Sequence, residues 1–164
     1  MGDKEFYGVR VYNVAEEFGI TLTCVREVLD NFVYECRKTL KEGIVLRLGK
    51  LATIRPSLVY SEYIPTLGYL SKCVSEKTGL PYYTVYSVIN AYLDTVEEEI
   101  LCGRSADIRK LVSFHTIFLG NDSFKVNCAL SSSVRNDLRE CDVPMTARVS
   151  LGKLLKSKLK EVIN

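Results

Sequence analysis

The 164-residue sequence has no uninterrupted apolar run of membrane-spanning length, which excludes an ordinary transmembrane helix. Its first residues, Met1-Gly2-Asp3-Lys4-Glu5, lack the basic-then-apolar order of a secretory signal. Histidine occurs once, at His115, and the six cysteines (Cys24, Cys36, Cys73, Cys102, Cys128, Cys141) are scattered without a CxxC pair. A zinc site of ordinary ligand spacing is therefore not expected, and His115 reads as a satisfied sheet residue. The thiols are expected to be reduced and mostly buried, in a cytoplasm and away from membranes. Charge of one sign is also scarce: 22 Lys and Arg against 20 Asp and Glu leave a formal net charge of +2. There is no Gly-rich phosphate loop, nucleophile–base pairing or metal cluster, so neither an enzyme nor a bound cofactor is expected.

What the chain does have is a repeat at an offset of sixty residues. Glu17-Phe18-Gly19-Ile20 aligns with Lys77-Thr78-Gly79-Leu80, and the register then holds without a gap. Val25 falls on Val85, Val28 on Val88, Leu29 on Ile89, Phe32 on Tyr92, Val33 on Leu93, Leu40 on Ile100 and Gly43 on Gly103. Nearly every matched position is apolar or Gly, so the repeated feature is a packing template. Two copies are too few for a solenoid and the right number for two halves sharing one core.

Each copy reads as a helical pair followed by a hairpin. A helix over Val9–Phe18 stops at Gly19, and a longer one follows Thr21 and runs to Glu42 before Gly43. The second copy predicts a helix from about Leu67 to Thr78, then Leu80-Pro81 and a helix to Cys102. Apolar residues at three- and four-residue spacing give each long helix one broad stripe. Ile44–Leu48 and Leu51–Ile54 read as a hairpin around Gly49-Lys50, and Ile108–Val112 and Phe114–Leu119 as its counterpart around Ser113. The copies then diverge. The first has only Ser57 to Thr66 before the next helix. The second continues with a strand over Ser123–Leu130, a polar tip at Ser131–Asp137, a return strand near Cys141–Val149 and a final helix over Ser150–Val162.

Helix, Gly, long helix, Gly, hairpin, projecting arm and short last helix: this order resembles the bacterial histone-like proteins HU and integration host factor. That family's hairpin segment Gly-Phe-Gly-Thr-Phe is matched by Lys50-Leu51-Ala52-Thr53-Ile54 and Ser113-Phe114-His115-Thr116-Ile117, with both glycines lost. Its arm tip Arg-Asn-Pro is matched by Arg135-Asn136-Asp137, and its following Ile-Pro by Val143-Pro144. Its Gly-Lys and apolar-basic last helix are echoed by Gly152-Lys153-Leu154-Leu155 through Ile163-Asn164.

The resemblance implies an α+β fold in which two HU-like units, residues 1–66 (truncated) and 67–164 (with arm and C-terminal helix), form a pseudo-dimer within one chain. Fusion would make obligate dimerisation intramolecular and let one arm be lost. It also implies a non-enzymatic DNA-binding, DNA-bending role in genome organisation or as an accessory to transcription, replication or recombination. Residues 125–164 carry eight basic and four acidic residues, so the basic excess lies at that end. The expected contacts to the duplex backbone and minor groove are Arg47, Lys50, Arg55, Arg109, Lys110, Lys125, Arg135, Asn136, Arg139, Arg148, Lys153 and Lys156. An Asp137 in the wedge position implies a weaker bend than in the family, unless Leu138 takes over. The competing reading is an HU-like module that binds or antagonises a protein partner, or self-associates, through Tyr60, Tyr63, Tyr69, Tyr82, Tyr83 and Tyr86 around the junction. A continuous positive saddle would favour DNA; a neutral one would favour the partner.

Overall fold

The computed structural model describes residues 7–163, which form six helices and two three-stranded antiparallel sheets. In chain order these are α1 (Val9–Phe18), α2 (Leu22–Lys41), β1 (Leu46–Leu48), β2 (Ala52–Pro56), α3 (Leu67–Thr78), α4 (Tyr82–Leu101), β3 (Ala106–Ile108), β4 (Val112–Gly120), β5 (Ser123–Leu130), α5 (Ser132–Arg139), β6 (Ala147–Leu151) and α6 (Lys153–Ile163). The sixty-residue offset carries α2 onto α4 and β1 onto β3 with both ends matching, and β2 onto the start of β4.

Local chemistry explains the helix boundaries. Thr21 and Thr66 accept hydrogen bonds from the backbone N–H of Cys24 (3.2 Å) and Tyr69 (3.0 Å). Gly19 and Gly79 close α1 and α3 in the left-handed region, at φ of 66° and 75°, where a side chain would be strained. The stripes of α2 (Val25, Val28, Phe32, Cys36, Leu40) and α4 (Val85, Val88, Ile89, Val96, Ile100) are buried in one apolar cluster with the inward residues of both sheets. The helices interlock between copies: α1 packs against α4, while α3 packs against both α2 and α4. Burying one such side chain contributes about 1.5–3 kcal/mol, so neither helical pair alone could satisfy its stripe.

The sheets cross the copies as well. β3, β4 and β5 form one sheet, but β1 and β2 are completed by β6, from the far end of the chain. β6 occupies on β2 the place that β5 occupies on β4: Ala52 pairs with Leu151 as Val112 pairs with Leu130. A second internal repeat follows, at an offset of 21 residues from Leu130 to Leu151. It places Ser131 on Gly152, whose N–H groups donate to the carbonyls of Leu111 and Leu51, each at 2.9 Å. It also places Val134 on Leu155 and Leu138 on Leu159, all four buried. α5 then packs on α2 and α6 on α4. A division near residue 66 therefore separates helical pairs and hairpins but cuts through a sheet.

Several expectations are corrected. The second hairpin turns at Arg109–Leu111 rather than at Ser113, which lies inside β4; Lys110 takes the left-handed conformation (φ 65°) that a glycine would have advertised. The segment expected as a polar arm tip, Ser131–Asp137, is mostly the helix α5, capped by Ser131. Its apolar Val134 and Leu138, four apart, are buried, and Asp137 pairs with Arg37, so none of it projects. The return strand begins at Ala147, and the last helix at Lys153. The six thiols are free, but only Cys36 is buried and Cys102 is exposed.

Candidate nucleic-acid interface

Alternation along the first sheet divides its residues between core and solvent. Leu46, Leu48, Ala52 and Ile54 face the helices, leaving Arg47, Arg55, Arg148 and Ser150 on the outer face beside half-buried Thr53. Arg47 is opposite Thr53, which is opposite Ser150; Arg55 is directly opposite Arg148. Like charges on facing strands repel and destabilise the pair unless an anion lies over them. None of these three arginines has a carboxylate within ion-pair distance among the described residues. Lys50, in the β1–β2 turn, and Lys153, at the start of α6, are exposed at one end of this sheet. Gly152 lies against the Lys50 carbonyl so closely that any Cβ there would overlap it, which keeps the turn and the start of α6 together.

The second sheet presents a different surface. Its outward residues are Asp107, Ser113, His115, Asn127, Ala129 and Lys125, with half-buried Ile117. One lysine and one aspartate leave this face near neutral. His115 is exposed, its Nδ1 3.4 Å from Ser105 Oγ. β5 lies against β6, so the two sheets adjoin along that line with both inner faces on the common core. The combined outer surface is basic on one half and polar on the other, so it is not the continuous positive saddle expected of a DNA-binding face, nor a neutral one throughout.

The projecting element is the β4–β5 hairpin. Its two-residue turn, Asn121-Asp122, has φ of 52° and 61°, the double left-handed geometry that suits the twist of a hairpin. A register shift between Phe118 and Gly120 sets Leu119 out of the ladder. Phe118 packs edge-on against Phe124, with ring centroids 6.4 Å apart, yet remains 74% exposed, and Leu119 is 59% exposed. These two residues were not anticipated from sequence, although the Gly120-Asn121-Asp122 turn signal was there to be read.

The other expected contacts lie elsewhere. Lys125 is on the hairpin's outer face, and Arg109 and Lys110 are in the β3–β4 turn beside a cleft. Arg135, Asn136 and Arg139 are exposed on α5, away from any arm tip. Lys156, on α6, sits near Cys128 of β5 and partly offsets the burial that pushes this thiol's pKa up. The six junction tyrosines are all exposed. Tyr82 and Tyr86 stack at 5.7 Å between ring centroids, with Tyr83 edge-on to Tyr82 and 74% exposed. At the matched positions the first copy has Leu22, Thr23 and Arg26, so this aromatic face is on one side only.

Among the described residues no helix is long and apolar enough to cross a membrane, and no group of three or more His, Cys, Asp or Glu is arranged to hold a metal ion. Compared with models of known families, with characterised proteins and with solved structures, the chain matches none.

Proposed function

We propose that this protein is a non-enzymatic DNA-binding protein of the HU and integration host factor type, built as a pseudo-dimer within one chain. One unit comprises α3, α4, β3, β4, β5 and α5; the other comprises α1, α2, β1 and β2 and is completed by β6 and α6 after the first has been inserted where its arm would be. The outer sheet surface is the saddle, and the single β4–β5 hairpin is the arm. The observation that carries the reading is Arg55 opposite Arg148 with Arg47 on the same face: a repulsive cluster that phosphate oxygens would neutralise. Arg47, Lys50, Arg55, Arg148 and Lys153 form the contact set, with Lys125 joining it from the hairpin. Such a protein would serve genome organisation or assist transcription, replication or recombination.

The test is a titration of random-sequence duplex DNA at several salt concentrations, with wild type and Arg55→Ala/Arg148→Ala. Each phosphate contact adds about 0.9 to the log–log salt slope. The double variant should bind more weakly at every sequence, with a slope shallower by about 1.8. Affinity independent of salt, or unchanged in the variant, would remove the sheet face from the reading.

A second reading, in which the chain binds a protein partner, is favoured by the exposed Tyr82, Tyr83 and Tyr86 cluster, since aromatic residues are enriched at protein interfaces. Wild-type protein that fails to bind duplex DNA at low salt would move the assignment to this face.

A further inference from the structure

A cleft of about 1020 Å³ lies between α2, the C-terminal half of α4 and the β3–β4 turn, away from the arginine cluster of the first sheet. The volume is at the upper end for small-molecule sites, which span roughly 300–1,000 Å³. Its apolar lining includes Leu29, Phe32, Val33 and Val96. Lys38 and Lys41 line it from α2, and Arg109 and Lys110 from the turn. None of these four cations has a carboxylate within ion-pair distance among the described residues. Arg37 fastens the walls together: its Nη1 donates to the Lys110 carbonyl and to Ser133 Oγ, both at 3.3 Å, and its Nε donates to Asp137 at 3.2 Å. Of these four cations only Lys110 has a basic counterpart in the repeat, Lys50; at the positions matching Lys38, Lys41 and Arg109, sixty residues away, stand Glu98, Leu101 and Gly49.

We propose that this cleft binds a small phosphate-bearing molecule with an apolar or aromatic body. Cations contributed by α2 and by the β3–β4 turn suit phosphate oxygens, and charge-assisted hydrogen bonds are the stronger class. The apolar lining between them suits a ring or aliphatic body. Asp30 and Asp107, with Glu99, which is paired to Arg104, also line the cleft; they disfavour a simple diffuse anion and favour a ligand whose charge is gathered at one end. A duplex would not be the occupant, because its phosphates lie on a broad ridge, whereas this site is concave and of small-molecule volume. The site is independent of the DNA reading and stands or falls separately.

The experiment is calorimetric titration of the full chain, free of DNA and in phosphate-free buffer, with ATP, inorganic triphosphate and adenosine as probes. ATP should bind, triphosphate more weakly, and adenosine not measurably. Lys38→Ala/Arg109→Ala should weaken ATP binding by about tenfold or more, since two charged contacts are lost. Arg55→Ala/Arg148→Ala should leave ATP binding unchanged. Lys38→Gln/Lys41→Gln, which removes the charge but keeps a polar side chain only one atom shorter, should reproduce the loss with an unaltered melting temperature. No binding of ATP at millimolar concentration, equal weakening by the sheet pair, or full binding in both cleft variants would each overturn the proposal.

Discussion

Arg37 and Glu97 stand at matched turns of the two long helices, sixty residues apart, and carry opposite charges. Each holds a different short helix. Arg37 bridges to Asp137 of α5, and Glu97 accepts a 2.7 Å hydrogen bond from Lys158 of α6. Asp137 and Lys158 are themselves matched by the 21-residue offset. Exchanging the two short helices would set Arg37 against Lys158 and Glu97 against Asp137. Like charge would then oppose the wrong docking, which apolar contacts at Val134, Leu138, Leu155 and Leu159 could not discriminate alone.

Arg37→Glu should therefore destabilise the fold by about 1–3 kcal/mol, since it leaves a half-buried carboxylate facing another. Adding Asp137→Lys should recover most of that loss. Urea unfolding of the four members of the cycle measures the coupling. Strictly additive effects would mean that the pair contributes nothing to docking.

Removing residues 147–164 should abolish cooperative folding, although the segment follows a seemingly finished unit. β2 would lose one of its two ladder partners, leaving only β1, and Leu155 and Leu159 would leave the side of α4. A fragment of residues 1–66 should be unfolded or aggregated for the same reason and because α1 packs on α4. Circular dichroism melts decide the matter: a sharp transition in either truncated chain would contradict the shared core.

The helical pairs were legible because their stripes follow the helical period and end at Gly19, Gly43, Gly79 and Gly103. The strand assignments near the first hairpin were legible for a similar reason, with Gly49 marking the turn. What escaped was long-range. Nothing local in Ala147–Leu151 says that it pairs with β2 rather than with the hairpin just before it. Ser131–Leu138 reads as polar because only Val134 and Leu138 are apolar, yet that spacing, four residues, is enough for one buried face of a two-turn helix. Along the site, the arginines of the first sheet were visible as charges, while their shared face depended on a register supplied by β6.

Tyr92 predicts an alkaline limit. Burial, reinforced by the Asp107 charge, raises its phenol from 10.0 to about 12. The hydroxyl lies within hydrogen-bond distance of the Asp107 carbonyl, at 3.2 Å. Because the folded value lies above the unfolded one, its contribution is complete below pH 10 and is lost as pH rises through 10–12. Wild type should lose stability across that window, and Tyr92→Phe, less stable at neutral pH by about 1 kcal/mol, should lose less. Parallel stability curves for the two proteins would show that Tyr92 does not titrate in this way.

The last prediction concerns bending, and the fold moves it to a different residue. Asp137 was the expected wedge position, but it lies in α5 against Arg37, so Asp137→Pro should break the helix at a cost of about 3 kcal/mol or more rather than sharpen a bend. The hairpin that does project ends in Phe118 and Leu119, two apolar side chains held in water beside a polar turn. Exposing them costs solvation that folding alone does not recover, and apolar side chains of this kind can enter a base step from the minor groove at a cost of a few kcal/mol of unstacking. With one arm instead of two, the DNA reading predicts a single kink placed to one side of the bound segment. End-to-end fluorescence transfer on duplexes labelled at either end should show an asymmetric bend in wild type and a smaller one in Phe118→Ser/Leu119→Ser. On that reading affinity should fall less than the bend angle, because the proposed backbone contacts of Arg47, Arg55 and Arg148 would remain. A double variant that bends DNA as strongly as wild type would remove the hairpin tip from the bending mechanism, while the salt slope would still report on the arginine face.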